Sequence, residues 1–304
     1  MKRTLIAAAL FAAASTVLAT PAYANLNVFA CEPEWGALAT EIGGDRVNVY
    51  AATLGGQDPH QVQARPSLIA RARAANVTVC TGAELEVAWL PLIIQQSGNS
   101  RLAPSQPGAF SATSAVRLLE RPASVDRSQG DIHAAGNPHV QTDPRNMIPI
   151  SRAMAQRFAQ LDPANAQVYT ARQADFERRW TTALARWQTR AAPLRGVAVA
   201  VQHRTWPYML NWLGMTEVVA LEPQPGVPPS AGYLAQTLQR LRTTPARFVI
   251  RAAYEDSRPS EFIAQRANIP AVVLPFTVGG TPAATNLFTL YDDTITRLLA
   301  GIGQ

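Results

Sequence analysis

The chain has 304 residues and a formal net charge of +6. Its arginines are scattered among alanine and leucine at helical spacing and form no basic cluster with interleaved aromatic residues, which argues against nucleic acid as a partner. After the N-terminal segment, no stretch approaches the ~20 consecutive apolar residues that a membrane span needs, so we expect a soluble mature chain without one.

The N-terminus has the pattern of a secretory signal peptide. Lys2 and Arg3 precede an apolar run, and residues 22–24 read Ala-Tyr-Ala, an A-x-A cleavage site. The run contains serine and threonine and is too short to anchor the chain in a bilayer. We predict a signal peptide over residues 1–24, cleavage after its last residue, and a periplasmic mature protein of 280 residues (304 minus 24) with a charge of +4 (+6 minus 2).

The first part of the mature chain alternates short β-branched runs with helical stretches. Strands are predicted at 27–31, 47–52 and 77–80, and helices at 34–42, 67–75 and 86–96. This alternation predicts a parallel sheet covered by helices on both faces. Residues 97–136 are rich in Ser, Pro, Gly and Gln and are predicted to be a loop, with an extended patch at 116–119.

The two cysteines, Cys31 and Cys80, each end a predicted strand. If the sheet is doubly wound, these two strands are neighbours, so the two side chains can meet. An isolated even pair in an oxidising compartment is more often a disulfide than a metal or catalytic site. We therefore predict a Cys31–Cys80 disulfide.

A long helix is predicted in the middle of the chain. One helix runs from near Asn146 to about Leu161, and Asp162 is predicted to cap a second one, with Pro163 at its first position. The second helix could run to Pro193, about 45 Å, because an apolar stripe continues along it. The stripe consists of Tyr169, Phe176, Trp180, Leu184 and Trp187. We interpret it as core packing of a spine that touches two lobes.

The alternation of strands and helices returns after this spine. Strands are predicted at 197–203, 217–221, 247–252 and 271–276, and helices at 208–213, 231–242, 260–267 and 287–299. The mature length exceeds the usual size of a single core. We predict an α/β protein of two lobes, each a parallel sheet with flanking helices, joined by one long helix, with boundaries at 25–145, 146–195 and 196–304.

The four histidines all lie outside predicted helix interiors. His60 follows the second strand, and His203 ends the first strand of the second lobe, so both lie at sheet edges where α/β proteins bind ligands. His133 and His139 share one loop between the lobes. Imidazole nitrogens in a tetrahedral set suit zinc, whereas manganese and magnesium prefer oxygen. A cleft between the lobes is therefore predicted to gather a metal site.

Three aspartates lie within a few residues of these histidines. They are Asp58, Asp131 and Asp143. A carboxylate that hydrogen-bonds one ring nitrogen of a ligating histidine fixes its tautomer. We expect these three side chains to act in this way.

A series of short motifs runs in order along nearly the whole mature chain. They are residues 42–49, Asp58-Pro59-His60, residues 74–86, Asn137-Pro138-His139 with Asp143-Pro144, His203, and residues 228–231. In this order and spacing they resemble the metal-binding substrate-binding proteins of zinc and manganese ABC transporters. The resemblance implies two α/β lobes joined by a long rigid helix, a transport role without catalysis, an inner-membrane ABC permease as partner, and a monomer.

The resemblance also implies three metal ligands, which carry over to His60, His139 and His203. In the family the fourth ligand is commonly a carboxylate after the last strand of the second lobe. Residues 274–280 occupy that place here and contain no acid, and Gln141 replaces the family's usual aromatic residue. The missing carboxylate favours zinc over manganese.

The fourth position is open to several candidates. Water could fill it, or His133, or a carboxylate from elsewhere such as Glu255 or Asp256. His133 is favoured because one loop would then supply two rings. The predicted site is therefore His60, His139 and His203 with His133 as the fourth ligand.

The predicted function is capture of a divalent transition metal, Zn²⁺ before Mn²⁺, and its delivery to an ABC importer. A secreted zinc hydrolase is an alternative, since catalytic zinc also has three protein ligands, but the sequence contains no H-E-x-x-H or G-x-S-x-G signature. A binding protein for an organic solute is another, because fold alone does not fix function. Its stacking faces would be Trp35, Trp89, Trp206 and Trp212.

Overall fold

The computed structural model describes residues 25–122, 130 and 133–303, and the predicted signal peptide and Asp131 lie outside this part of the chain. Within it are two four-stranded parallel sheets, each flanked by helices, and one long helix that contacts both halves. The predicted α/β fold with two lobes and a helical spine is confirmed. Among the described residues, no helix combines the length and the apolar character of a membrane span.

The N-terminal sheet has the strand order β2-β1-β3-β4. Its elements are β1 (Leu26–Ala30), α1 (Pro33–Gly43), β2 (Val47–Ala51), α2 (Pro66–Ala74), β3 (Val77–Cys80), α3 (Leu90–Ser97) and β4 (Ala109–Ser111). Val28 of the central strand β1 pairs with Val49 on one side and Val77 on the other. β-Branched residues suit these strands because helices cover both faces of the sheet.

Two predictions in this lobe are wrong in detail. Strand β4 lies inside the predicted loop, whereas the predicted extended patch at 116–119 is extended at Val116 but belongs to no strand. β4 has only three residues, too few for a periodic pattern. Helix α3 begins at Leu90, four residues after the predicted start, because the carboxylate of Glu86 accepts hydrogen bonds from the backbone of the preceding turn.

The predicted disulfide is confirmed. β1 and β3 are adjacent and parallel, and Cys31 follows the first of them while Cys80 ends the second. Their Cα atoms are 4.8 Å apart, within the range that a disulfide spans. The bridge lies at the C-terminal edge of the sheet, next to the loops that form the cleft.

Helices α4 (Met147–Leu161) and α5 (Ala166–Arg190) join the two sheets. α5 has 25 residues, about 38 Å at 1.5 Å per residue, which is shorter than predicted. Asp162 is not its N-cap: a short 3₁₀ turn intervenes, and the Asp162 carboxylate accepts from Asn165 Nδ2 at 2.7 Å and Tyr169 Oη at 2.6 Å.

The apolar stripe of α5 packs against both lobes, as the sequence predicted. On the N-terminal side, Arg179 Nη2 pairs with Glu41 Oε2 of α1 at 2.6 Å. On the other side, Trp187 Nε1 donates to Asp292 Oδ1 at 2.9 Å. Trp180 is buried between them and donates from Nε1 to Pro144 O at 2.7 Å. These contacts fix the spine to both lobes.

The C-terminal sheet repeats the same plan, with strand order β6-β5-β7-β8. Its elements are β5 (Ala198–Val201), α6 (Pro207–Leu213), β6 (Thr216–Ala220), α7 (Ala231–Thr243), β7 (Phe248–Ala252), α8 (Ser257–Ala267), β8 (Ala271–Leu274) and α9 (Leu287–Gly301). The central strand β5 points its C-terminal end towards the cleft. Loops from equivalent edges of the two sheets therefore face each other.

Candidate metal centre

His60 lies on the loop that follows β2. The Asp58 carboxylate accepts from the His60 backbone N at 2.9 Å and bonds ring atom Nδ1 at the same distance. Trp89 Nε1 donates to Pro59 O at 2.9 Å and holds the loop against the lobe. The predicted role of Asp58 is supported, because with Nδ1 engaged the ring presents Nε2, which is buried and has no hydrogen-bond partner among the described residues.

His203 lies two residues after β5 and is held by a carboxylate that we did not predict. Glu222 Oε2 bonds His203 Nδ1 at 2.7 Å and accepts from Gly226 N at 2.7 Å. Burial disfavours the imidazolium, but Glu222, helped by Glu255 and Asp58, outweighs it and raises the pKa of His203. The signal for Glu222 was its position just after the predicted strand 217–221, at the same sheet edge.

His139 is the most buried of the rings, at 1% exposure. Its backbone N donates to Asn137 Oδ1 at 3.0 Å, and Phe276 packs edge-on against the ring with centroids 5.5 Å apart. Burial, followed by the neighbouring His60 and His203, lowers its pKa well below the usual value. The ring is therefore neutral near pH 7 and can donate a lone pair to a metal.

The three rings form a nearly equilateral triangle. Their centroids are 5.4 Å apart for His60 and His139, 5.7 Å for His60 and His203, and 5.8 Å for His139 and His203. One nitrogen from each ring lies within 4.8 Å of those of the other two. Residues separated by up to 143 positions (203 minus 60) thus meet in the cleft, with ring nitrogens close enough for one ion to bridge.

His133 lies at the rim of this triangle. Its ring centroid is 5.6 Å from that of His60 and 6.4 Å from that of His139. Burial and the nearby rings of His60 and His203 lower its pKa to about 4. The fourth histidine is therefore also neutral near pH 7.

The other predicted carboxylates have different partners. Asp143 forms a two-point pair with Arg145 and is 2.7 Å from its Nη2, so its predicted role beside a histidine is wrong. Asp256 caps α8 through Arg258 N at 3.1 Å and pairs with the Arg258 guanidinium. Each of these carboxylates binds an arginine two residues further along the chain. The prediction considered only how close each carboxylate lies to a histidine in sequence, so it missed these nearer donors.

Glu255 remains close to the centre. Its Oε2 accepts from Ala252 N at 2.8 Å, while Oε1 is buried and has no hydrogen-bond partner in the described part of the chain. Burial raises the pKa of this carboxyl to about 7, although His203 opposes the rise. It lines a cavity of about 230 Å³ with Asp58, His60, His203 and Glu222. A second cavity of about 520 Å³ reaches His133, His139 and His203 from another side.

The segment after β8, which contains no acidic residue between positions 274 and 280, joins the lobes. Thr277 Oγ1 accepts from Glu34 N at 3.1 Å and donates to the Glu34 carboxylate. Burial raises the pKa of Glu34 to about 7. Beside this contact, the His60 loop and the segment after β8 approach so closely that a Cβ on Gly55 would lie 2.2 Å from Gly279 C.

This close approach gives a testable expectation. Gly55→Ala should push the His60 loop away from the other lobe and lower metal affinity, on the order of tenfold, a cost typical of displaced ligand supports. Gly56→Ala is the matched control, because nothing lies within 4 Å of a Cβ at that position. Calorimetric titration of both variants measures the difference, and equal affinities would show that the contact does not position His60.

The tryptophans do not form a solute-binding surface. Trp35, Trp89, Trp206 and Trp212 are between 0% and 8% exposed. Trp35 Nε1 donates to Thr81 Oγ1 at 2.7 Å inside the N-terminal lobe. The four rings are core residues, so the stacking faces considered for an organic solute are wrong.

Comparisons with known proteins agree with the centre's composition. The family model described as "Zinc-uptake complex component A periplasmic" matches residues 28–301. The manganese ABC transporter substrate-binding lipoprotein PsaA of Streptococcus pneumoniae is 20% identical over 281 residues, 90% of this chain and 87% of PsaA. The iron ABC transporter substrate-binding lipoprotein MtsA of Streptococcus pyogenes is 22% identical over 163 residues, which span 53% of this chain and 49% of MtsA.

Solved structures show the same fold. The crystal structure of ZnuA superposes with a TM-score of 0.74 at 20% identity, covering 90% of this chain and 99% of that one. The names of these proteins mention zinc, manganese and iron, so the family relationship alone does not identify the metal that this chain binds. Because the family model covers most of the described residues, the chain belongs to the ZnuA family of periplasmic metal-binding components of ABC transporters, and it is not an enzyme.

Proposed function

We propose that this protein captures Zn²⁺ between its two lobes and delivers it to the permease of an ABC importer. The observation that supports this most is the triangle of His60, His139 and His203, in which one nitrogen of each ring lies within 4.8 Å of the others. No carboxylate belongs to this triangle among the described residues. Nitrogen ligands without oxygen suit zinc in a tetrahedral site and give manganese little advantage.

Further features agree with a cargo site. Asp58 and Glu222 hold two rings by Nδ1, so that each presents Nε2 towards the cleft. Two cavities, of about 520 Å³ and about 230 Å³, adjoin the rings. We assign the fourth position to His133, since it is the next nearest ring, and place it above water and above Glu255. A metal held by few charged ligands and reached by two cavities can be released again.

The remaining parts of the proposal follow from the sequence. The signal peptide is removed after Ala24, and the mature protein works in the periplasm as a monomer with an inner-membrane permease. Its lobes comprise residues 25–145 and 196–304, with residues 146–195 linking them. These assignments rest on the N-terminal pattern and on the family resemblance.

Metal content tests the proposal. The purified mature chain is stripped with a chelator, incubated with equimolar Zn²⁺ and Mn²⁺, and dialysed before elemental analysis. We expect one zinc per chain and less than about a hundredth as much manganese, because nitrogen sites follow the Irving–Williams order. Retention of manganese instead would contradict the zinc assignment, and retention of neither metal would contradict a metal cargo altogether.

A further inference from the structure

A left-handed turn follows β3. Gly82, Ala83 and Glu84 have φ values of 82°, 50° and 68° in succession. Residues with a Cβ rarely adopt this conformation, and two in a row persist only where surrounding contacts determine them. Gly82 is required, since a Cβ there would lie 1.9 Å from Ser111 Oγ. A backbone held in this way is a candidate for a positioning role.

Two buried carboxyl groups hold the turn. Glu86 Oε1 accepts from Thr81 N at 2.7 Å, and its Oε2 accepts from Gly82 N at 3.1 Å. Glu32 Oε2 accepts from Thr81 Oγ1 at 3.0 Å. Both side chains are at most 4% exposed, where hydrogen bonds are strong and unpaired groups costly. The turn is therefore tied firmly to the edge of the N-terminal sheet.

The left-handed turn in turn holds the segment that carries His133. Glu84 Oε2 accepts from Ala134 N at 2.9 Å, across 50 positions of sequence. The main chain of this segment is thus attached to the turn.

Two of the other proposed ligands also have a residue that holds them in position. A metal-bound histidine normally donates its second ring N–H to a carboxylate or a backbone carbonyl. His60 has Asp58 for this purpose and His203 has Glu222. For His133 the support is indirect, because the left-handed turn holds the neighbouring Ala134 backbone through Glu84. The centroid of the His133 ring lies 5.6 Å from that of His60.

We propose that the left-handed turn at residues 82–84 is the support that holds His133 as fourth metal ligand, with Glu84 as a positioning residue that acts through the Ala134 backbone. This inference rests on the proposed function and deepens it, because it assigns a role to residues that touch no metal. It also gives the strained backbone a purpose in the site.

A double-mutant cycle tests the coupling. Glu84→Ala removes the acceptor for Ala134 N while keeping a Cβ on the left-handed residue, and Glu84→Gln keeps an acceptor oxygen. Zinc affinity is measured by competition with a chromophoric chelator for wild type, both Glu84 variants, His133→Ala, and Glu84→Ala with His133→Ala. The Co²⁺-loaded forms are compared by visible absorption, which is stronger for four-coordinate than for higher-coordinate cobalt.

We expect Glu84→Ala to lose about tenfold in zinc affinity and to shift the Co²⁺ spectrum towards that of His133→Ala. Glu84→Gln should bind like wild type. In the His133→Ala background, Glu84→Ala should cost less than about twofold, since coupled residues are non-additive. An equal loss in both backgrounds, or no loss in either, would overturn the proposal.

Failure of the inference is distinguishable from failure of the proposed function. If wild type binds zinc and His133→Ala binds it equally well, His133 is not a ligand and the inference falls, while the three-histidine site stands. If wild type itself binds no metal, the proposed function falls and takes the inference with it.

Discussion

Replacing both His60 and His203 by alanine is expected to abolish zinc binding at micromolar zinc. A zinc site with a binding free energy of about 12 kcal/mol over four ligands loses about 3 kcal/mol, or about a hundredfold in affinity, per ligand, so two ligands correspond to about 10⁴-fold. These two rings are preferable to His139, whose complete burial means that truncation also leaves a cavity. Calorimetric titration of the stripped protein measures the loss.

A neighbouring substitution serves as control. Gln61 is exposed and directly follows His60, so Gln61→Ala should keep the affinity within about twofold. Circular dichroism and denaturant unfolding of the stripped proteins check that both variants fold. Wild-type affinity in the double variant would place the metal outside the histidine triangle and refute the assignment.

Zinc affinity is expected to fall between pH 7.5 and pH 5.5, but by far less than the displacement of a proton from each of four histidines would cause. The pKa of His203 is raised, so at a pH below that pKa zinc must displace a proton from this ring, and affinity then falls by at most about tenfold per pH unit. Burial lowers the pKa of His139 well below its usual value and that of His133 to about 4. Both rings stay neutral over this range and release no proton.

Four rings at the ordinary pKa of about 6.5 would instead lower the affinity by about 10⁴ at pH 5.5. Titrations in buffers of different ionisation enthalpy count the released protons directly. Glu222→Gln removes the charge that raises the pKa of His203, so the zinc affinity of this variant should depend less on pH. The control is Asp256→Asn, because Asp256 is an exposed residue that caps α8, and this variant should behave like wild type. Equal wild-type affinity at both pH values would show that zinc displaces no proton from His203, and would contradict its role as a ligand.

Much of the site was predictable because its signals are local. His60 and His203 lie just after strands, and the C-terminal edges of parallel strands face a common side. Asp58 is two residues from His60, so one tight turn brings its carboxylate to the ring. The resemblance added His139, which no strand marks. What these signals could not give was the distance between residues on different lobes.

The predictions that failed or were missed have different physical causes. Glu222 meets His203 only because β5 and β6 are adjacent in the sheet. Asp143 lies four residues from His139, yet it pairs with Arg145, since an ion pair two residues apart needs no tertiary contact. The four tryptophans lie in the core because of tertiary packing, since the burial of a large ring depends on which helices pack over it.

The sequence by itself determined the α/β class, the two-lobed plan with its helical spine, the disulfide between neighbouring strands and the family, since each depends on periodicity or on spacing along the chain. Only the tertiary structure decided that three histidines form a triangle, that Thr277 after β8 joins the lobes, and that a strained turn holds the His133 segment. These features arise from packing between the lobes, and the energies that select them come from burial and from contacts between residues far apart in sequence.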